Sequence, residues 1–330
     1  GGDEKLLIND AVGYHTIAKD VVTGKGYPTD DPMLSTLRTP GYPLFIATIY
    51  WVFGIRPWVV IIFQIIIDAA LVFVIYKLAS LLLDSRIAII AAGLWAIEPF
   101  AIIYANALLS DSLFVFFVVL GFYFLAKFFA DKSKNAIWSC ALLMVISVYI
   151  RPISYYLLFV MPIYVLFNSQ AKFREKIGYA LSFSIIIVIL IAPWIWRNKI
   201  IHQHYFFSTS CPYNALVLYA APIMADKMQM DMSAAQALET KKIAEENKSI
   251  ADDSYAYYQK YLYRAVEIIR HNIALFIKSY VIGIVDMFFT IDKGSFERYL
   301  HIKSENPNIV RSLGSEGLFA TIRIIYHRFH

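Results

Sequence analysis

The sequence predicts an all-α fold, a polytopic bundle of transmembrane helices with juxtamembrane helices on the extracytoplasmic side. Of the 330 residues, 59% are hydrophobic and 17% are charged, whereas soluble domains usually carry about 25% charged residues. The mean hydropathy is high, at +0.56. Several apolar runs approach the length of about 20 residues that a spanning helix needs, and basic clusters separate them at alternate loops. These three observations indicate a helical membrane protein.

The first polar segment carries a helical repeat. Asp10, Tyr14 and Ala18 recur every four residues, so a helix would place them on one face with the carboxylate at its N-terminal end. Gly24 and Gly26 are expected to end that helix. Because a helix N-terminus favours negative charge, a purely structural role for the carboxylate stays open.

The apolar runs that follow define the predicted bundle. Pro40–Phe53 is too short to span a bilayer and is expected to lie in the membrane interface. The longer runs are expected to form spans, and they are Trp58–Leu82, Ile87–Tyr104, Leu113–Phe129, Ala136–Ile150, Ile153–Phe167, Gly178–Trp196 and Asn272–Thr290. Between the last two lies a polar stretch, with helices predicted at Met232–Asn247 and Tyr255–Ile269.

These boundaries divide the chain into four parts. Residues 1–57 form the first extracytoplasmic loop with its juxtamembrane helices, and residues 58–197 form the transmembrane bundle. Residues 198–263 form a second extracytoplasmic loop, and residues 264–330 form further juxtamembrane and transmembrane segments. The chain does not begin with Met, and its last apolar run stops early. We therefore expect a fragment that lacks a preceding transmembrane helix.

Basic residues mark one side of the predicted bundle. They cluster at residues 77–86, 127–134 and 172–176, and such loops remain in the cytoplasm. This topology accounts for the net charge of +5 without a nucleic-acid partner. Five charged residues are then predicted to converge on the extracytoplasmic side: Asp10, Arg38, Asp111, Arg151 and Arg197.

Carboxylates and arginines at a membrane surface suit a reaction on a lipid-linked phosphate. An arginine fork binds phosphate oxygens, and a carboxylate can accept a proton from an attacking hydroxyl. Two structural interpretations stay open beside this one. Arg151 and Arg197 could extend their charged ends to lipid headgroups, and Asp111 could be the N-cap of the helix that follows it.

Other polar residues carry weaker signals. Glu98 lies inside an apolar run just before a proline, where an ionisable group indicates either function or a hydrated position near the interface. His202 and His204 lack a third ligand, so a surface loop is favoured over a metal site. Cys140 and Cys211 form neither a disulfide framework nor a metal motif.

The order of the polar motifs resembles the GT-C polyprenyl-phosphate sugar transferases. The pattern D-x3-Y-x3-A-x5-G from Asp10 onwards, followed by RTPGYPLF at residues 38–45, is similar to the first loop of that family. It most resembles the bacterial branch related to protein O-mannosyltransferases and the lipid A aminoarabinose transferase. Further matches are LSDSLF at 109–114, Arg151–Pro152, PWIWRN at 193–198, and more faintly Ser208–Thr209 with Asn214.

The resemblance implies a membrane glycosyltransferase that inverts the anomeric carbon of its donor. The donor would be a sugar linked to a polyprenyl phosphate, and the acceptor a lipid, a glycan or a protein. Asp10 matches the catalytic aspartate of the family's first loop. The Asp-Glu dipeptide of the mannosyltransferases is absent there, and Asp3–Glu4 supplies it outside the Tyr and Ala spacing. Some relatives use a divalent metal, although no ligand set here supports one.

The other candidate residues take supporting roles in this interpretation. Arg38, Arg151 and Arg197 would hold the leaving phosphate. Residues expected to bind the acceptor or support the site are Tyr14, Tyr42, Glu98, Asp111 and Asn198. The expected location is the bacterial inner (plasma) membrane, in contact with membrane lipids, with the active site on the extracytoplasmic face.

A transporter or flippase of lipid-linked sugars is the alternative function. Its arginines would bind the same phosphate without transfer chemistry. Transporters tend to have paired repeats and broken helices at the bilayer midplane. The polar residues here collect instead at one predicted surface, which favours the enzyme.

The predicted topology can be tested with single cysteines. In a protein whose Cys211 is replaced by Ser, Lys132→Cys and Asn247→Cys are probed in intact cells with an impermeant thiol reagent. Only the cysteine at 247 should react, because the basic cluster places residue 132 in the cytoplasm. Equal labelling of both would contradict the topology and the shared location of the site residues.

Overall fold

A computed structural model describes residues 7, 10–31, 33–169, 171–248 and 253–289, with side chains to residue 284. Every regular element in these ranges is helical, which confirms the predicted all-α class. Two compact units divide at residues 271 and 272. The first contains α1 (Asp10–Val22), α2 (Gly41–Phe53), α3 (Pro57–Leu82), α4 (Ser85–Ala96), α5 (Pro99–Ala105), α6 (Asp111–Asp131), α7 (Lys134–Ile150), α8 (Leu157–Asn168), α9 (Phe173–His202), α10 (Ser210–Asn214), α11 (Ala221–Met228), α12 (Met232–Glu246) and α13 (Ser254–His271). The second contains α14 (Ile273–Phe289).

Helix α1 confirms the four-residue repeat. Tyr14 and Ala18 are buried on one face while Asp10 is exposed in the first turn. That face packs on α2, where the rings of Tyr14 and Tyr42 meet edge to face at 4.7 Å. The helix ends as predicted, because Gly24 has a φ of +84° that other residues rarely adopt. The repeat therefore buries a tyrosine and leaves its carboxylate accessible.

Within the part of the chain that the structure describes, three helices are long and apolar enough to cross a membrane, namely α3, α6 and α9. The first two confirm the predicted spans to within two residues. The third was predicted to end at Trp196, and this boundary is wrong because α9 continues through Pro193 to His202. Trp194 and Asn198 donate side-chain hydrogen bonds to carbonyls of the following loop, at 2.9 to 3.3 Å. These bonds hold the loop against the last turns of the helix.

The predicted span Ile87–Tyr104 is not one straight helix. It consists of α4 and α5, which meet at an angle of 54°. Pro99 occupies the first turn of α5, where its missing N–H costs nothing. Glu98 is the N-cap, and its carboxylate accepts a hydrogen bond from the backbone N–H of Ala101. Glu98 thus has a structural role that the sequence analysis did not foresee.

Helices α7 and α8 confirm the predicted break at Arg151. This residue is extended, with φ −141° and ψ 119°, because the proline after it disfavours helical geometry. A 3-10 turn, Pro152–Tyr156, leads into α8. Helix α7 supplies much of the larger hydrophobic core, where Met144 contacts Gly121 of α6.

The stretch after α9 is more helical than predicted. Helices α12 and α13 agree with the two predicted helices, whereas α10, α11 and a π-helical turn at Ala215–Ala220 were missed. Arg264 of α13 donates to both carboxylate oxygens of the buried Glu239 of α12, at 2.7 and 3.1 Å. This bidentate pair joins the two helices. Cys140 is buried, Cys211 is exposed, and both are free thiols.

Gly41 allows the closest approach between α2 and α7. A Cβ atom at this position would lie 2.6 Å from the carbonyl carbon and oxygen of Tyr149. The next residue, Ile150, receives a long hydrogen bond of 3.5 Å from Thr39. The contact therefore places the residues beside Arg38 next to the residues beside Arg151.

We expect Gly41→Ala to destabilise the fold by about 1–3 kcal/mol or more, because backbone atoms cannot move aside as side chains do. Thermal unfolding of the protein in lipid nanodiscs measures the effect. Gly93→Ala is the matched control in α4, since nothing lies within 4 Å of its added Cβ. Similar melting temperatures for Gly41→Ala and the parent protein would contradict the contact.

Candidate active site

Asp10 and Arg38 form an ion pair at the surface of the first unit. The two guanidinium nitrogens of Arg38 donate to the two carboxylate oxygens, at 2.6 and 3.2 Å. The Asp10 side chain is 55% exposed and that of Arg38 is 15% exposed. Burial disfavours the charged guanidinium, but Tyr14 and the Asp10 carboxylate raise the pKa of Arg38 above its ordinary value. A cation that can bind phosphate therefore holds the predicted catalytic carboxylate.

Tyr14 connects this ion pair to a second segment of the chain. Its hydroxyl accepts a hydrogen bond from Arg38 at 3.3 Å and lies 3.4 Å from the hydroxyl of Ser110. The Arg38 guanidinium also lies 4.9 Å from the centre of the Tyr14 ring. Tyr14 therefore supports the pair and places it beside the residues that begin α6.

Tyr42 fixes the loop that precedes α6. Its ring is fully buried, and its hydroxyl donates to the side chain of Gln64 in α3 at 2.7 Å. Gln64 then donates to the carbonyls of Ala107 at 2.8 Å and Leu109 at 3.3 Å. A buried amide in an apolar helix needs such partners. These contacts make Tyr42 a structural support rather than a group exposed to an acceptor.

Asp111 and Arg151 form a second carboxylate–arginine pair. A guanidinium nitrogen of Arg151 donates to Asp111, and both side chains are partly exposed. The N-cap interpretation of Asp111 is wrong, because Ser110 occupies the N-cap and α6 begins at Asp111 itself. Arg151 contacts a protein carboxylate in this structure, a partner that the headgroup interpretation did not include.

Arg197 holds the first loop against α9. Its guanidinium donates to the carbonyls of Ser35 at 3.2 Å and Pro28 at 3.0 Å. It also donates to the side chain of Asn198 at 2.8 Å and lies 4.6 Å from the Trp194 ring. These contacts fix a loop that is more than 160 positions away in sequence. Asn198 is fully buried, and its side-chain NH₂ group donates to the carbonyl of Phe206 in the loop that follows α9.

Tyr27 lies between the two arginines and was missed by the sequence analysis. Its hydroxyl donates to the carbonyl of Arg38 at 2.9 Å, and the Arg197 guanidinium lies 5.1 Å from its ring. Burial raises the pKa of Tyr27 above its usual range, although Arg197 opposes this shift. The phenol thus stays protonated and donates. The signal in the sequence was the Gly-Tyr-Pro tripeptide at residues 26–28.

The faint motif match at Ser208 and Thr209 also reaches the first loop. Thr209 donates its backbone N–H to the carbonyl of Thr36 at 3.0 Å, and their hydroxyls lie 2.9 Å apart. Ser208 donates to the carbonyl of Leu37 at 2.9 Å. Ser208 and Thr209 therefore fix the π-helical turn Met33–Leu37, which leads into Arg38.

The remaining candidates do not join this cluster through the described contacts. Glu98 caps α5, as described above. His202 lies 3.2 Å from the hydroxyl of Ser35, and His204 pairs with Asp253 at 2.9 Å. Among the described residues there is no group of three or more His, Cys, Asp or Glu side chains that could hold a metal ion. Asp3 and Glu4 lie outside the described residues.

Comparison with known proteins agrees with the motifs. The family model described as dolichyl-phosphate-mannose-protein mannosyltransferase matches residues 37–196. Over these residues the chain is similar to the GT-C glycosyltransferases. The matched range contains Arg38 and both members of the Asp111–Arg151 pair, whereas Arg197 lies one residue after it and Asp10 lies 27 residues before it.

One curated protein that resembles this chain also carries a mannosyltransferase description. A Bacillus subtilis (strain 168) protein described as "Putative mannosyltransferase YycA" is 28% identical over 173 residues. The aligned region covers 51% of this chain and 25% of the Bacillus protein, so the chain spans about a quarter of that protein's length. No solved structure matches the chain.

We expect Arg197→Lys to loosen the first loop, because lysine keeps the charge but cannot reach both carbonyls with a planar fork. Each hydrogen bond from a charged group contributes about 1.5–3 kcal/mol. Hydrogen exchange of residues 24–37 should accelerate in Arg197→Lys. Arg174→Lys, at the other end of α9, is the matched control. Unchanged exchange in Arg197→Lys would favour the headgroup interpretation.

Proposed function

We propose that the chain is the catalytic part of a membrane glycosyltransferase that uses a polyprenyl-phosphate sugar. The sugar passes to an acceptor hydroxyl on the extracytoplasmic face, with inversion at the anomeric carbon. The observation that carries this proposal is the contact between Asp10 and Arg38. An exposed carboxylate and a phosphate-binding cation lie within hydrogen-bond distance of each other, where one can serve the acceptor and the other the donor. The family match supports the reaction class.

The ion pair has to open before transfer, because Arg38 occupies both oxygens of Asp10. A donor phosphate competes for the same guanidinium and forms the same bidentate bonds. The Asp10 side chain is more than half exposed, so water can replace Arg38 at the carboxylate when a phosphate takes over the guanidinium. Donor binding then frees the carboxylate at the time when the acceptor needs a base.

Transfer follows as one displacement. Asp10 takes the proton of the acceptor hydroxyl while its oxygen forms a bond to the anomeric carbon of the sugar. The bond from that carbon to the phosphate oxygen breaks, and the polyprenyl phosphate leaves with the electron pair. Arg38 and Arg151 stabilise the negative charge that builds up on the phosphate. Because the acceptor attacks opposite the leaving group, the configuration inverts.

The remaining candidates position these groups. Tyr14 holds Arg38 beside Asp10, and Tyr42 fixes the loop before Asp111. Arg197 holds the first loop in place and can still meet the phosphate through a guanidinium proton that these bonds do not use. Glu98 shapes the bend between α4 and α5.

The membrane setting follows from three helices that can cross a bilayer and from the basic clusters. We place the site on the extracytoplasmic face of a bacterial plasma membrane. The acceptor can be a lipid, a glycan or a protein. A transporter would need the arginines for phosphate but no carboxylate freed by donor binding, so a test of Asp10 separates the two functions.

Asp10→Asn should abolish transfer while leaving the donor bound. Removing a general base typically costs about a hundred- to ten-thousand-fold in rate. Because the amide no longer competes for Arg38, donor affinity should equal or exceed that of the parent protein. The measurements are transfer of radiolabelled sugar from a polyprenyl phosphate, and donor binding, with the full-length protein in lipid.

Asp20→Asn is the matched control, since Asp20 lies on α1 and pairs with Lys25 at 3.4 Å. It should transfer sugar at the parent rate. Substantial transfer by Asp10→Asn, beside an inactive Asp111→Asn or Asp3→Asn, would move the catalytic role to the other carboxylate. Normal binding without transfer in every protein tested, the parent included, would favour the transporter.

A further inference from the structure

A cleft of about 370 Å³ opens between the first loop and helices α12 and α13. Its volume falls within the range of about 300–1,000 Å³ that is typical of small-molecule sites. The polar and aromatic residues that line it are Asp31, Lys248, Ser254, Tyr257 and Tyr258, and its apolar lining residues are Met33 and Ala244. None of these residues takes part in the contacts of the Asp10–Arg38 pair.

The lining combines the groups that recognise a sugar. A pyranose ring presents C–H bonds on its faces and hydroxyl groups around its edge. Aromatic faces carry negative charge density and attract polarised C–H groups, and the tyrosine rings offer such faces. Carboxylates and ammonium groups accept from and donate to hydroxyls. From this combination we propose that the cleft binds a carbohydrate acceptor of the reaction, an inference that rests on the proposed function.

Asp31 is fixed in a position to accept hydrogen bonds. Its Oδ1 atom accepts from the backbone N–H groups of Met33 at 2.8 Å and Leu34 at 3.1 Å. The described hydrogen bonds of this carboxylate all use Oδ1, and the residue is exposed. The other oxygen can therefore accept from a ligand hydroxyl without loss of the turn.

Tyr258 forms a buried part of the wall of the cleft. Burial, together with Tyr213, Tyr257 and Asp31, raises the pKa of Tyr258 to about 12. Its phenol is therefore protonated at neutral pH. The ring of Tyr257 lies 5.8 Å from that of Tyr258, centre to centre, and is only partly buried. Tyr257 thus presents the accessible aromatic surface.

One short segment of the chain links the cleft to the candidate active site. Met33 lines the cleft and begins the π-helical turn that ends at Leu37, one residue before Arg38. The bonds from Thr209 and Ser208 hold this turn. The cleft residue Met33 therefore lies five positions before Arg38 in the sequence, and the two residues are joined by one π-helical turn.

The charges of the cleft favour an acceptor over the donor phosphate. Its lining contains one cation, Lys248, and one carboxylate, Asp31, and no arginine. The Asp10–Arg38 and Asp111–Arg151 pairs, to which the proposed function assigns the phosphate, are not part of this lining. A neutral sugar fits a balanced lining better than a polyprenyl phosphate does.

Saturation-transfer NMR of the full-length protein in lipid nanodiscs tests the proposal. The probes are methyl α-mannoside, methyl β-glucoside and methyl β-N-acetylglucosaminide, none of which carries a phosphate. At least one should bind, and Tyr257→Ala should weaken it about tenfold or more. Tyr257→Phe keeps the ring and should bind within about threefold of the parent. Asp31→Asn, which removes the charge and keeps the shape, should also weaken binding.

Tyr263→Ala is the matched control, because Tyr263 lies on α13 and is 68% exposed. It should bind the glycoside as the parent does. Glycoside binding is measured without donor and without transfer, so a failure of the catalytic assignment leaves this result intact. The proposal is overturned if no glycoside binds, if Tyr257→Ala binds like the parent, or if Tyr257→Ala loses affinity for polyprenyl phosphate instead.

Discussion

The ion pair between Asp10 and Arg38 depends on several weaker contacts that hold its two halves together. A single ion pair whose carboxylate is more than half exposed is weak support for two residues that lie 28 positions apart. Tyr14 and Tyr27 each bind Arg38, through its side chain and its carbonyl. Arg197 in turn donates to the carbonyl of Pro28, which lies between Asp10 and Arg38 in the sequence. The geometry is therefore set by buried neighbours, and the pair itself remains easy to exchange with a phosphate.

The membrane imposes a second constraint on the same residues. Backbone and amide groups in an apolar setting must find partners within the protein. Gln64 meets this requirement with three hydrogen bonds, one from Tyr42 and two to carbonyls before α6. The same bonds fix the residues that precede Asp111. A polar group that would be costly in lipid thus positions one of the two carboxylates.

The outcome at each proline shows what the sequence could and could not predict. The four-residue spacing predicted α1, and run length predicted α3 and α6, because these signals are local. Pro99 ends one helix and starts another, whereas α9 continues through Pro193. The Glu98 cap is a local contact, because its carboxylate accepts from the N–H of Ala101 three residues further on. At Pro193 the partners lie outside the helix, since Trp194 and Asn198 donate to carbonyls of the loop after α9. A local pattern therefore contains the first outcome but not the second.

In the candidate site, the sequence predicted which charged residues lie on the same side, but it did not predict which of them pair. Residue types and the basic clusters predicted that two carboxylates and three arginines share one side, whereas their pairing depends on the turn Met33–Leu37 and on Tyr27. These features have no repeat or spacing from which they could be predicted. The family motifs supplied Asp10, but they could not indicate that Arg38 would occupy it.

Two carboxylate–arginine pairs, rather than one, determine how the proposed site can act. Without donor, each pair is neutral and the site attracts neither phosphate nor cation strongly. A phosphate that binds both arginines releases both carboxylates, and the acceptor hydroxyl needs only one base. Exposure distinguishes them, since Asp10 is 55% exposed and Asp111 35%. Arg38 is also the more buried arginine, so its field on a bound phosphate is the less screened. In the proposed mechanism, the phosphate therefore takes over the more buried arginine, and the carboxylate that it releases is the more exposed one.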